Sequence, residues 1–106
     1  KLMTEYKIKD LRVGMKDVDI TVEIDFLGEQ RRTSGFDNEN LVPGIVTDET
    51  GEIQMTFWND DIKKAKSGVK VRVEDGFISA YNGQLQLRNT KENKVIFLWN
   101  AMNKEY

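Results

Sequence analysis

Residues 75–88 read DGFISAYNGQLQLR, and this stretch decides how the rest of the chain is interpreted. Asn82-Gly83 is the strongest two-residue signal for a β-hairpin turn, and such a turn fixes which residues face each other across the two strands. The predicted cross-strand pairs are Tyr81 with Gln84, Ala80 with Leu85, Ser79 with Gln86, Ile78 with Leu87 and Phe77 with Arg88.

The hairpin register also predicts which face of each strand is buried. Ile78, Leu85 and Leu87 share one face and form its natural core side, so Phe77 and Tyr81 are expected to point outward. The valines at 69, 71 and 73 begin the same strand with the opposite phase. A β-bulge at Asp75-Gly76, where glycine interrupts the strand, reconciles the two phases.

Three earlier segments alternate as strands do. Residues 18–26 (VDITVEIDF) place an apolar side chain at every second position, which predicts a half-buried strand with Phe26 on its core face. Residues 41–47 form a second strand, in which Pro43 indicates an edge or bulged position. Residues 52–58 form a third, with Trp58 on the polar face.

The connections between these strands have recognisable chemistry. Residues 28–40 are polar and predict a long loop, whereas Asp48 to Gly51 predicts a tight turn with Gly51 at a positive φ. Residues 59–67 (NDDIKKAKS) predict a short helix with Asn59 as its N-cap. The apolar run at 95–99 is expected to extend the last strand or to cover a barrel end.

This order of elements predicts an all-β fold, a five-stranded Greek-key OB-fold barrel with a short helix between strands three and four. A chain of 106 residues supports one core, so we expect a single domain over residues 1–106. Residues 1–7 are expected to be a disordered or tag-derived lead, and residues 94–106 a C-terminal extension.

The amino-acid composition excludes several classes of function. The sequence has zero Cys and zero His, which removes disulfides, thiolate or imidazole metal sites and Ser-His or Cys-His catalysis. We therefore expect a binding protein, not an enzyme, without cofactor or metal. Neither a membrane-length apolar run nor a signal-like leader is found, so a cytoplasmic protein without membrane contact is expected.

Charge is unevenly distributed along the chain. The formal net charge is −2, but residues 1–50 carry −4 and residues 51–106 carry +2. An anionic partner is therefore expected to prefer the second half of the chain.

Trp58, Phe77 and Tyr81 form the candidate functional set. Outward aromatic rings beside amide and guanidinium groups are suited to stack on unpaired bases, at about 1 to 3 kcal/mol per base. The alternative is that the rings cover the sheet beneath a loop, and for Trp99 packing is the favoured interpretation. The candidate polar and phosphate contacts are Arg31, Arg32, Lys70, Arg72, Gln84, Gln86, Arg88, Lys91 and Lys94. Turn and cap roles account for the acids Asp48, Glu49, Asp60 and Asp61.

These segments resemble a known family, the archaeal single-stranded DNA-binding proteins and the OB domains of replication protein A. The matching pieces are IKDLRVGMKDV at 8–18, DETGEIQMTFW at 48–58, KSGVKVRVEDGF at 66–77 and YNGQLQL at 81–87. The resemblance implies stacking by Trp58, Phe77 and Tyr81, and a basic loop contact at Arg31. Phe77 stands at a place where the family often has Trp.

The sequence thus predicts a module that binds single-stranded DNA with little sequence preference, in replication, recombination or repair. One alternative is a protein-interaction OB module of a larger replication complex, with a partner docked on the aromatics or on residues 95–99. Another is single-stranded RNA binding, since stacking hardly distinguishes the sugars.

Overall fold

The structure is a computed structural model, and it describes residues 5–34, 38–89 and 94–98. Two short 3₁₀ turns and seven strands are found within these residues. The 3₁₀ turns are Ile8–Asp10 and Asn59–Lys63. The strands are β1 Val18–Leu27, β2 Arg31–Arg32, β3 Asn40–Asp48, β4 Gly51–Trp58, β5 Lys70–Tyr81, β6 Gln84–Arg88 and β7 Val95–Leu98.

Five of these strands close into a barrel. Strand β1 pairs with β3, β3 with β4, β6 with β5, and β5 returns to β1, all antiparallel, whereas β4 and β6 are parallel. The short strands β2 and β7 add to β3 and β5. The predicted five-stranded all-β barrel is therefore confirmed.

The barrel interior is filled by the side chains that strand alternation turns inward. Val18, Ile20, Val22 and Ile24 of β1 are all buried, and they meet the inward residues of every other barrel strand. The rest of the buried cluster is Ile8, Leu11, Val46, Ile53, Met55, Phe57, Ala65, Val69, Val71, Val73, Ile78 and Leu87. Burial of apolar area at about 25 cal/mol per Å² makes this cluster the main source of stability.

The predicted inward position of Phe26 is wrong. Opposite β3, the register of β1 shifts between Ile24 and Phe26, so Asp25 is an extra residue and the alternation changes phase. The bulge is held in place by Gly68, whose N–H donates to the carbonyl of Ile24 at 2.7 Å. Phe26 consequently points outward and is 59% exposed, whereas Leu27 packs against the core.

The hairpin prediction is confirmed in every pair. Strands β5 and β6 pair Phe77 with Arg88 and Tyr81 with Gln84, and the three pairs between them are also as predicted. The bulge before the hairpin is confirmed as well, because Val73 lies opposite Ile20 but Gly76 lies opposite Val18. Asp75 takes a positive φ of 55° there. A Cβ at Gly76 would lie only 3.2 Å from the carbonyl oxygen of Arg88.

Pro43 lies within β3, at a place where the missing N–H is harmless. Its carbonyl accepts from Gly28 N at 2.8 Å, and the pairing of β1 with β3 ends one residue earlier, at Leu27 with Gly44. Because the N and the C=O of one strand residue point to the same side, the proline nitrogen faces the end of β1 and not β4. Pro43 therefore occupies a local edge.

Three other predicted connections need correction. The loop at 28–40 contains β2, which pairs with the start of β3. The turn between Asp48 and Gly51 is present, but Gly51 does not take a positive φ. Residues 59–63 form a 3₁₀ turn instead of a longer helix, and its N-cap is the extended residue Trp58 and not Asn59, which lies within the turn with a φ of 50°. Its side-chain oxygen instead accepts from the backbone N–H of Asn40.

Of the predicted lead at residues 1–7, residues 5–7 are bonded to the barrel. Glu5 pairs with Arg72, the N–H of Tyr6 donates to the carbonyl of Asp19, and Lys7 pairs with Glu49. The expected disorder therefore does not extend over residues 5–7, and residues 1–4 lie outside the described part.

At the other end, β7 pairs with Lys70 to Val73 of β5, in the same antiparallel sense as β6. It therefore extends the pairing of the last strand. Phe97 packs partly against the core, with its ring 6.0 Å from that of Phe57. Trp99 lies outside the described residues.

Candidate nucleic-acid interface

The outward side chains of β4, β5 and β6 form one continuous surface, which we call the groove face. Cross-strand partners carry their side chains on the same side of a sheet, so the register gives its layout. Gln86 lies beside both Gln54 and Ser79 at the centre. Tyr81 lies beside Gln84 at one end. The full set is Gln54, Thr56, Trp58, Phe77, Ser79, Tyr81, Gln84, Gln86 and Arg88.

Trp58 and Tyr81 mark the two ends of this face. Trp58 lies four residues beyond Gln54 on β4, and Gln84, the partner of Tyr81, lies two residues before Gln86 on β6. Trp58 and Tyr81 are therefore about six residues apart, or roughly 20 Å along the strands. Trp58 is 36% exposed and Tyr81 66%. An open groove of about 960 Å³ is lined by both rings and by Gln86 and Arg88. The face thus offers two separated stacking surfaces.

Phe77 is on the same face but is half-buried, because Arg88 lies across it. The guanidinium carbon of Arg88 is 5.7 Å from the centre of the Phe77 ring, which is within cation–π range. The pair joins an aromatic surface to a positive charge at one position. A stacked base and its phosphate need both kinds of group.

Amides occupy the centre of the groove face. Nε2 of Gln86 lies 3.4 Å from Oε1 of Gln54, a long hydrogen bond, and both side chains are half-buried. The neighbouring Ser79 has a buried hydroxyl oxygen without a protein partner among the described residues. The centre is therefore polar but uncharged.

Arg31 joins this face from β2. The register pairs Arg31 with Leu41 and Leu41 with Trp58, so the three side chains lie in one row across β2, β3 and β4. Arg31 is exposed. Arg32 is also exposed but is paired with Asn40, which places it on the other side of the β2–β3 ribbon.

The Trp58 end of the groove also contains acids. Glu39, Asp60 and Asp61 line it together with Lys64. Burial raises the pKa of Asp61 above its ordinary value of 3.8, and the nearby Asp60 adds to the rise, whereas Lys64 opposes it. An anionic ligand at this end would meet negative charge, which Lys64 and Arg31 offset only in part.

Arg72 lies away from the groove face. Strand pairing places it between Thr21 of β1 and Ile96 of β7. Its guanidinium binds Glu5 at 2.6 Å and Glu74 at 3.1 Å. These ion pairs give Arg72 a structural role and remove it from the candidate site.

Lys94 is also engaged in ion pairs, at 3.5 Å from Asp75 and 4.0 Å from Glu74. Lys70 is exposed and lies outside the groove lining, on a strand segment paired with β1 and β7. Lys91 lies outside the described residues. Of the predicted basic residues in the described ranges, the structure therefore brings Arg31 and Arg88 to the aromatic rings, and it adds Lys64, which was not predicted and lines the groove with Trp58.

Sequence reasoning missed the outward residues of β3 and the end of β1. Leu41, Pro43 and Ile45 alternate with buried neighbours and continue the groove face sideways. Phe26 lies opposite Ile45. The alternation within residues 41–47 was sufficient to predict which β3 side chains point outward. The change of phase at Asp25, which turns Phe26 outward, has no glycine or proline to mark it.

Neither a metal site nor a membrane span is found in the described ranges. No cluster of three or more acidic, His or Cys side chains with the geometry to hold a metal ion occurs there. None of their helices has the length and apolar character required to cross a bilayer.

In sequence, the profile of a family described as "OB-fold nucleic acid binding domain" matches residues 28–95. The chain is also 29% identical over 92 residues to the "Single-stranded DNA binding protein Ssb" of Saccharolobus solfataricus. That alignment covers 86% of this chain and 62% of the relative, so the chain spans less than two thirds of that protein's length.

Among solved structures, the replication factor A related protein from Methanobacterium thermoautotrophicum aligns with a TM-score of 0.72 and 22% identity, over 90% of this chain and 91% of that one. The second OB-fold domain of replication protein A from Methanococcus maripaludis aligns with a TM-score of 0.71 and 21% identity, over 92% and 98%. At these identities the likeness establishes the fold, and the barrel is an OB-fold.

Proposed function

Because this chain belongs to the family of OB-fold nucleic acid binding domains, we propose that it binds single-stranded DNA along the groove face, by base stacking supplemented by phosphate contacts. The family is one of binding domains, and the chain is accordingly a binding protein and not an enzyme. We also propose that the protein is cytoplasmic and that it acts in replication, recombination or repair.

The observation that carries the proposal is the exposure of aromatic rings on one face of the barrel. Trp58 and Tyr81 keep 36% and 66% of their surface in contact with solvent, although the barrel has a filled core on its inner side. Stacked bases would cover such rings, and stacking tolerates any base because every base has a π-face. The uncharged amides between the rings carry both a donor and an acceptor, so they can pair with the edge of any base, which is compatible with little sequence preference.

Arg31 and Arg88 are the proposed phosphate contacts. Both are exposed, and each lies in a row with an aromatic ring of the groove face. Gln84 and Gln86 are proposed as contacts to bases or sugars. Arg32 is proposed only as a peripheral contact, because it points away from the row of Trp58.

The direct test is a titration with oligo-dT, followed by the fluorescence of the two tryptophans, Trp58 and Trp99. Saturable quenching that is lost in Trp58→Phe, with Trp99 intact, supports binding at the groove face. Competition with oligo-U of the same length measures the preference between DNA and RNA. Absence of quenching at low salt contradicts the proposal and favours a protein-interaction module.

Salt dependence is expected to be modest, since only a few cations lie near the rings. For single strands the slope of log affinity against log salt is about −0.7 per neutralised phosphate, so two to four contacts give roughly −1.5 to −3. Arg31→Ala and Arg88→Ala are each expected to lower the magnitude of that slope by about 0.7. Titrations over a series of salt concentrations measure it.

Arg72→Gln is the matched control for these variants. It removes the same unit of charge from the protein, but its guanidinium is occupied by Glu5 and Glu74 on another part of the barrel. Its slope is expected to equal that of the wild type. A wild-type slope near −7 would instead mean about ten phosphate contacts, and would contradict stacking as the main term.

Single-strand affinity is expected to rise as the pH falls from neutrality towards the raised pKa of Asp61. Burial disfavours the charged form of this carboxyl, so it gains a proton at a higher pH than its ordinary pKa of 3.8. Protonation removes a negative charge from the groove lining. For the same reason, the ionised group disfavours the folded state at pH values above its folded pKa.

Asp61→Asn is expected to bind more tightly than wild type at pH 7, by about two- to five-fold, the range of a partly screened single charge. It is also expected to lose most of the pH dependence. Asp17→Asn is the control, because this exposed acid precedes β1 and does not line the groove. An unchanged pH profile in Asp61→Asn would show that the DNA does not approach Asp61.

A further inference from the structure

A second outward surface adjoins the groove face on its β3 side. Ile45 of β3 lies beside Gln54 of β4 and also beside Phe26 of β1. With Gln86 and Ser79 the row crosses five strands, in the order β1, β3, β4, β6 and β5. At about 4.8 Å per strand it is roughly 19 Å long.

Phe26 is the unexplained residue of this row. Its side chain is 59% exposed, although every second residue before it on β1 is buried. The bulge at Asp25 turns the ring out of the core, and Leu27 then occupies the inward place. The fold therefore leaves more than half of the aromatic side chain at position 26 in contact with solvent.

The chemistry of the row fits nucleic acid. None of its five members is charged, and it passes from an aromatic ring through an aliphatic side chain to amides, the groups that contact base faces and base edges. Arg31 is exposed and is paired with Leu41 on the same edge of β3 that Phe26 occupies. A cation thus lies beside the proposed path, as a polyanion requires.

We propose that Phe26 is a further stacking residue, and that a bound single strand leaves the groove across Ile45 of β3 to place a base on this ring. This inference rests on the proposed function and extends it to the length of strand that is bound. A short oligomer fills the groove between β4, β6 and β5, and only a longer one reaches β1.

The test compares two lengths of oligo-dT, about 5 and about 15 nucleotides, which lie near the lower and upper ends of the site sizes of single OB folds. Phe26→Ala is expected to weaken binding of the long oligomer by about 5- to 150-fold, the range of one stacked base, and to leave the short one within about two-fold. Phe26→Tyr keeps the ring and is expected to bind like wild type. Phe26→Leu keeps apolar bulk without a ring and is expected to behave like Phe26→Ala.

Ile96→Ala is the matched control, since it removes a 37% exposed apolar side chain beside Arg72 on another part of the barrel. Thermal melts of each variant establish that it folds. Equal affinity of Phe26→Ala and wild type at both lengths overturns the inference, as does wild-type affinity in Phe26→Leu. Altered sedimentation of DNA-free Phe26→Ala also overturns it, because it would identify a second copy of the chain as the occupant.

The same experiment separates this inference from the proposed function. If wild type binds neither oligomer, the proposed function has failed. If wild type binds both and Trp58→Ala binds weakly, but Phe26→Ala matches wild type, only the path across β3 has failed.

Discussion

Ile78→Ala is expected to lower the free energy of unfolding by about 2 to 5 kcal/mol, because it leaves a cavity in a packed core. The side chain is 2% exposed and lies opposite Leu87, which is equally buried. Urea unfolding measures the change through the midpoint at constant m-value.

Phe77→Ala is the comparison for Ile78→Ala, since the two residues are neighbours on the same strand. Phe77 faces outward under Arg88, so its loss is expected to cost about 1 kcal/mol or less. Leu85→Ala is expected to lie between the two, because that side chain is only partly buried. A larger loss for Phe77→Ala than for Ile78→Ala would mean that the faces of the hairpin are reversed.

Removal of both end rings of the groove face is expected to have the largest effect on function. Trp58→Ala, Phe77→Ala and Tyr81→Ala should each weaken single-strand binding by about 1 to 3 kcal/mol. Trp58 and Tyr81 are far enough apart along the strands for their effects to add, so the double variant is expected to lose about 2 to 6 kcal/mol. Fluorescence anisotropy of labelled oligo-dT measures all four variants.

Stability is the internal control for the aromatic variants. Tyr81→Ala should unfold within about 0.5 kcal/mol of wild type, because its ring is largely exposed. Aromatic variants that fold normally and bind with wild-type affinity would place the binding surface elsewhere on the barrel. Ile96→Ala should leave single-strand binding unchanged and should alter stability by only a small amount.

The local sequence was sufficient to predict the register of the β5–β6 hairpin. Asn82-Gly83 fixes the turn, and the apolar phase on either side of it agrees with only one choice of inner face. The bulge at Asp75 was predicted for a similar reason, because Gly76 marks it. The outward positions of Phe77 and Tyr81 followed from these two signals.

The positions of Phe26 and Arg72 were not predicted correctly because they depend on interactions between parts of the chain that are distant in sequence. The bulge at Asp25 is held by hydrogen bonds from Ser67 and Gly68, which short-range alternation cannot include. Arg72 was a candidate phosphate contact until the fold brought Glu5 to it, across 67 positions of sequence. In both cases the deciding partner is known only once the barrel is closed.

The order of the strands around the barrel has a consequence for synthesis. Strand β6 is the last of the five barrel strands along the chain, yet it lies between β4 and β5. Until Arg88 has left the ribosome, β4 and β5 therefore lack the strand that joins them, and the groove face is incomplete. Translation at about 5 to 20 residues per second is slow compared with hairpin formation, so β3–β4 can pair early. We expect a nascent chain to gain affinity for single strands in one late step.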